Sequence, residues 1–149
     1  MAVHLQKSLQ LTKQQKHNLR NRVQALGETQ PHTLRYFSDP GHGWLEVPVV
    51  KLVSLGLHFT DFSEYSYTNG VYESGLKPFV WYRWSHGPMN EGGDPIHVVY
   101  LEEDCDAAIY LRRHREIYSR DPIITDYGLN DEAGIRNLPP IYSTAEIAI

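Results

Sequence analysis

Apolar positions along the chain alternate between two spacings. Leu19, Val23 and Leu26 recur at helical intervals, and Thr12 and Gly27 bracket them as N-cap and stop, which predicts a helix from Thr12 to about Leu26. Its apolar stripe is narrow, which suits loose docking or packing against a second copy in a homo-oligomer. Thr33–Ser38 and Trp44–Val47 read as strands around the turn cluster Asp39-Pro40-Gly41-His42-Gly43, so a hairpin is expected there. Pro48 suits the first turn of a short helix that turns Val49, Leu52 and Val53 inward and ends at Gly56. Glu64–Thr68 and Val71–Glu73 flank Asn69-Gly70, a strong hairpin signal. Phe79–Ser85 reads as an aromatic strand and Ile96–Leu101 as a buried one, with a loop over 86–95 between them. Ala107 to about Tyr118 reads as a helix, with Asp104 as the expected N-cap and Arg112, Arg113, His114 and Arg115 in its later turns.

Strands cluster in the middle of the chain instead of alternating with helices. The expected fold class is therefore α+β, an antiparallel-rich sheet with about three helices. The expected organisation is a basic helical arm over 1–30, an α+β core over 31–120 and an irregular tail over 121–149, where Pro122, Pro139 and Pro140 interrupt any regular pattern.

Charge adds one feature to this picture. Residues 1–27 carry Lys7, Lys13, Lys16, Arg20 and Arg22 and no acid, a charge of +5, which leaves −9 for the rest against a net charge of −4. A basic helix of this kind can meet phosphates or an acidic partner, or can simply be a solvated face. The single cysteine, Cys105, excludes an internal disulfide framework and a cysteine-based zinc cluster, and suits a reducing, cytoplasmic setting. No apolar run approaches the roughly 18 residues of a membrane span, and Met1–Gln10 lacks the apolar segment of a signal peptide.

Candidate chemistry is sparse. The HExxH, Walker A, GxGxxG and GxSxG patterns are all missing, so no cofactor is indicated and catalysis by those routes has no support. His42 lies between two glycines, beside Trp44, in a turn that leaves an imidazole accessible as a ligand or a general base. Glu102, Glu103 and Asp106, with His42, are the candidate oxygen and nitrogen donors for a divalent cation in a nuclease or hydrolase. Helix capping is the competing reading of that acidic cluster. Cys105 sits among those acids, which oppose a thiolate, and reads as a buried structural residue. Tyr65, Tyr67 and Tyr72 with Trp81, Tyr82, Trp84 and Arg83 offer a surface that could stack a base or meet a protein. Alternation assigns Phe79, Trp81 and Arg83 to one strand face and Val80, Tyr82 and Trp84 to the other.

Two blocks, FSDPGHGWLEVP (37–48) and VYLEEDCDAAIYL (99–111), with YSYTNG between them, resemble small accessory proteins carried by phages and plasmids. The similarity covers about Thr33 to Tyr118. In those relatives the Tyr-Ser-Tyr hairpin runs almost directly into the acidic block, whereas here about 25 residues (73–97) intervene. The resemblance implies a mobile-element setting, in which such proteins often bind and disarm host defences. Three functions are carried forward. The first is a non-enzymatic binding protein that occupies a host protein or protein–nucleic acid complex, a nucleic acid or a signalling nucleotide, through Lys13, Lys16, Arg20, Arg22, His42, Trp44, Tyr65, Tyr67, Trp81 and Arg83. The second is a metal-dependent hydrolase, and the third a nucleic-acid-binding regulator that uses the basic helix.

Overall fold

The computed structural model describes residues 11–72, 78–129 and 134–141, with residues 72, 78 and 79 described by their backbone only. The fold is α+β: among the described residues there are three α-helices, a mixed five-stranded sheet and a small two-stranded sheet. Helix α1 (Lys13–Ala25) starts at a capping box. Thr12 Oγ1 accepts the Gln15 N–H at 3.0 Å, and Gln15 Oε1 accepts the Thr12 N–H at 2.8 Å. It stops at Gly27, whose φ of +74° lets the Glu28 N–H return to Val23 O. Val23 enters the core and Leu19 packs at its edge, but Leu26, expected on the apolar face, is exposed because it is the cap residue where the chain leaves the helix.

Strand β1 (Thr33–Ser38) and strand β2 (Gly43–Pro48) form the expected antiparallel hairpin. The Asp39 side chain shapes its turn by accepting the N–H groups of Gly41 and His42. Helix α2 (Val49–Ser54) follows directly. The main sheet is completed by strand β3 (Tyr67–Thr68), strand β6 (Val98–Glu102) and strand β7 (Ile123–Gly128), in the order β3-β6-β2-β1-β7. Helix α3 (Asp106–Tyr118) links β6 to β7. Every pairing in this sheet is antiparallel except β1 with β7.

Of the three residues expected inward on α2, Leu52 is buried but Val53 is exposed, because a helix this short turns a single face to the core. Four further expectations need correction. Residues 123–128 are not irregular: they form β7, whose six residues pair in parallel with all six of β1. They were missed because all six are exposed and so lack the alternation that marks a half-buried strand. Asn69-Gly70 does not close a hairpin. Strand β3 pairs with β6, while strand β4 (Gly70–Tyr72) pairs with strand β5 (Pro78–Trp81) in the small sheet. Asn69 is instead buried and acts as a bracket, its amide donating to Ile96 O and its carbonyl accepting the Val98 N–H. The aromatic strand ends at Trp81, so Trp84 escapes strict alternation and packs edge-on against Phe37 and Tyr100. The cap of α3 is Cys105, not Asp104, and makes no side-chain capping bond. Glu73, the end of an expected strand, lies outside the described residues, as do Lys7 and residues 130–133 and 142–149 of the expected tail.

Alternation along the central strands divides the core in two. Leu34, Leu45, Val47, Val99 and Leu101 face the helices and pack with Leu52, Tyr110 and Ile117. Phe37, Trp44, Val98 and Tyr100 face the other way and are covered by Ile135 and Leu138 from the chain's final segment, with Trp84 and Ile96. At about 25 cal/mol per Å² of apolar area, these two layers supply the main drive to fold.

Candidate functional site

On the second face, where β2 begins and β6 ends, a cleft of about 410 Å³ opens among His42, Trp44, Tyr65, Tyr67, Glu102, Asp104, Cys105 and Arg136. The register explains its floor. Trp44 is the cross-strand partner of Glu102, so an indole and a carboxylate lie side by side on one sheet face. Tyr67, opposite Tyr100 on β6, brings its ring within 6.4 Å of the Trp44 ring in an edge-on arrangement. The β1–β2 turn carries His42 over the rim, 6.0 Å from Trp44 between ring centroids. From the opposite side Arg136 lays its guanidinium over the Trp44 ring at 5.4 Å, while Asp39 holds it by two hydrogen bonds of 3.0 and 3.1 Å.

Glu102 is buried, yet among the described residues only one of its oxygens is engaged in a hydrogen bond. Oε2 accepts the Asp104 N–H at 3.0 Å and the Cys105 thiol at 3.3 Å. Oε1 faces His42 Nδ1 at 3.9 Å, beyond hydrogen-bond range. The Trp44 indole N–H is also buried, and among the described residues it finds no acceptor. Such an orphan donor costs free energy unless something completes it.

Cys105 is exposed, not buried as its sequence context suggested. Partial burial and the nearby carboxylates of Asp106 and Glu102 push its thiol up to about 11, so it stays protonated at neutral pH and is a poor nucleophile.

The other candidate metal donors do not join His42 and Glu102. Asp106 is buried and fully committed, accepting the Ser63 N–H and the hydroxyls of Ser63 and Ser66. Glu103 accepts the Tyr36 hydroxyl, and together with burial it raises that phenol's pKa above its ordinary value. Among the described residues, no group of three or more His, Cys, Asp or Glu side chains is placed to hold a metal ion.

The remaining predicted site residues lie elsewhere. Three of the four basic positions on α1 are spent inside the molecule. Lys16 pairs with Glu116 at 3.0 Å, Arg20 donates twice to the Glu116 carbonyl, and Arg22 donates to the Ser54 carbonyl at 2.9 Å. Glu116 and Ser54 sit in the last turns of α3 and α2, where free carbonyls attract cations. Lys13 is exposed on the same helix. Trp81 and Arg83 are exposed beyond the cleft, and Trp81 meets His97 edge-on. Sequence reasoning overlooked Arg136 altogether. It lies in the final segment with no motif around it, and only the fold brings it to Trp44.

Comparison with protein-family models, with curated proteins and with solved structures finds no match. No helix among the described residues is long and apolar enough to cross a membrane.

Proposed function

We propose that the chain is a non-enzymatic binding protein of a mobile genetic element, and that it recognises a host protein through this cleft. One observation carries the reading. Three segments far apart in sequence, the His42–Trp44 turn, the Tyr65–Tyr67 segment and the Glu102–Cys105 junction, converge with Arg136 on one concave, aromatic-walled surface. Tyr and Trp supply large contact area with little loss of side-chain freedom, which is why they anchor protein interfaces. The protonated thiol and the committed carboxylates of Asp106 and Glu103 favour binding over hydrolysis. The internal engagement of Lys16, Arg20 and Arg22 weighs against the basic helix as a nucleic-acid surface.

Native mass spectrometry of the protein before and after incubation with host extract tests this. The expected result is an added protein mass on the wild type that is lost when Tyr65 and Tyr67 are both replaced by Ala and is retained in Lys13→Glu. An added mass that persists in the tyrosine double variant overturns the reading, as does one that proves to be nucleic acid.

A further inference from the structure

We infer that the cleft is built to receive an arginine side chain presented by a protein partner; the inference rests on the recognition reading above. The floor holds one buried carboxylate, Glu102, with Oε2 bound and Oε1 outside hydrogen-bond range of its neighbour His42. Asp104 adds a second carboxylate to the lining. Among the described residues, the fixed cation in the lining is Arg136, which Asp39 already neutralises. An entering group therefore meets an excess of negative charge, which disfavours the phosphates of a nucleotide and favours a cation. The walls include Tyr65 and Tyr67, whose ring faces attract cations.

Geometry selects among cations. A guanidinium is planar, stacks on aromatic rings and matches a carboxylate edge, and the resident Arg136 already lies over Trp44 in that manner at 5.4 Å. The open oxygen lies on the cleft side of Glu102, where a planar guanidinium can meet it edge-on while stacking on the tyrosines. An arginine side chain on a partner supplies that guanidinium on a long apolar stem that can lie along the aromatic walls.

The probes are acetyl-arginine-methylamide, its citrulline counterpart and guanosine monophosphate, each titrated into the full chain while the indole N–H resonance of Trp44 is followed by NMR. Citrulline keeps the shape of arginine and removes the charge. Saturable shifts with arginine are expected, with citrulline at least about tenfold weaker. Glu102→Gln keeps an acceptor for the Asp104 N–H and is expected to abolish the preference. Equal binding of citrulline overturns the assignment, as does displacement of arginine by guanosine monophosphate, or an indole resonance unmoved by tens of millimolar arginine. The citrulline comparison needs no variant, so a poorly folded Glu102→Gln does not leave the question open. The two readings fail separately. If the host-protein mass depends on Tyr65 and Tyr67 but arginine shows no preference, only the arginine assignment falls. If arginine binds but the mass survives the tyrosine variant, the recognition reading falls.

Discussion

Glu46 and Glu102 sit on the same face of the same sheet, one on β2 and one on β6, and both are buried. Their surroundings differ in kind. Glu46 has both oxygens engaged: Arg35 grips them at 2.7 Å each, and the Tyr100 hydroxyl donates to Oε2 at 2.8 Å while accepting the Trp84 indole N–H. Glu102 has one oxygen held and the other facing a cleft. A buried carboxylate with both oxygens engaged acts as a structural element, whereas one with an oxygen left open to a cleft is, on the reading proposed above, available to a ligand. Burial alone does not separate the two roles; hydrogen-bond completion does.

The largest expected effect tests the structural member of the pair. Glu46→Leu leaves the Tyr100 hydroxyl buried without its acceptor and Arg35 without its partner. Unfolding in urea is expected to show a loss of about 3 kcal/mol. A loss within experimental error would show that the Arg35–Glu46–Tyr100 network is not structural.

Acid provides a second test, on the saturated polar cluster of the helix face. His114 Nε2 accepts the His32 backbone N–H at 3.0 Å, which leaves the His114 ring proton on Nδ1, facing the Arg120 carbonyl at 2.7 Å. Burial, then the neighbouring His114 and Lys51, hold His32 down to about 3, and burial also lowers His114. A histidine with a folded-state pKa below its unfolded value of about 6.5 stabilises the fold fully above that value and progressively less below it. His32 alone is therefore expected to cost about 2 kcal/mol between pH 7 and about pH 5. A urea midpoint that stays level over that range would contradict the neutral, buried assignment.

Gly43 offers a third test, at the edge of the cleft. A Cβ there would lie 1.7 Å from the Tyr36 hydroxyl and 2.4 Å from its ring carbon Cζ. Gly43→Ala must push Tyr36 off Glu103, and a loss of about 1.5 kcal/mol is expected in thermal unfolding. An unchanged melting temperature would mean that the Tyr36–Glu103 contact contributes nothing to stability.

The smallest effect completes the comparison. Glu102→Gln keeps the acceptor for Asp104 and is expected to change stability by less than about 1 kcal/mol, in contrast to Glu46→Leu. A loss as large as that of Glu46→Leu would make Glu102 structural too, and would remove the basis for reading the cleft as a binding site.

Local chemistry alone determined several elements of this protein. The Thr12 cap, the Gly27 stop, the β1–β2 hairpin and the buried run of β6 all follow from interactions within a few residues, where side-chain type dictates backbone geometry. The α+β class follows from the order of those elements. His42, Trp44 and the tyrosines stood out in the sequence as accessible or aromatic, and His42 was paired with Glu102 only as a metal donor; nothing in it joined Trp44 and the tyrosines to Glu102, or any of them to Arg136. Only the tertiary structure decided that. It placed β6 beside β2 so that Trp44 faces Glu102, turned Asn69 into a bracket between sheets, recruited exposed residues 123–128 as an edge strand, and spent the cations of α1 on the ends of other helices. Each of these depends on contacts between residues distant in the chain, and no local pattern records them.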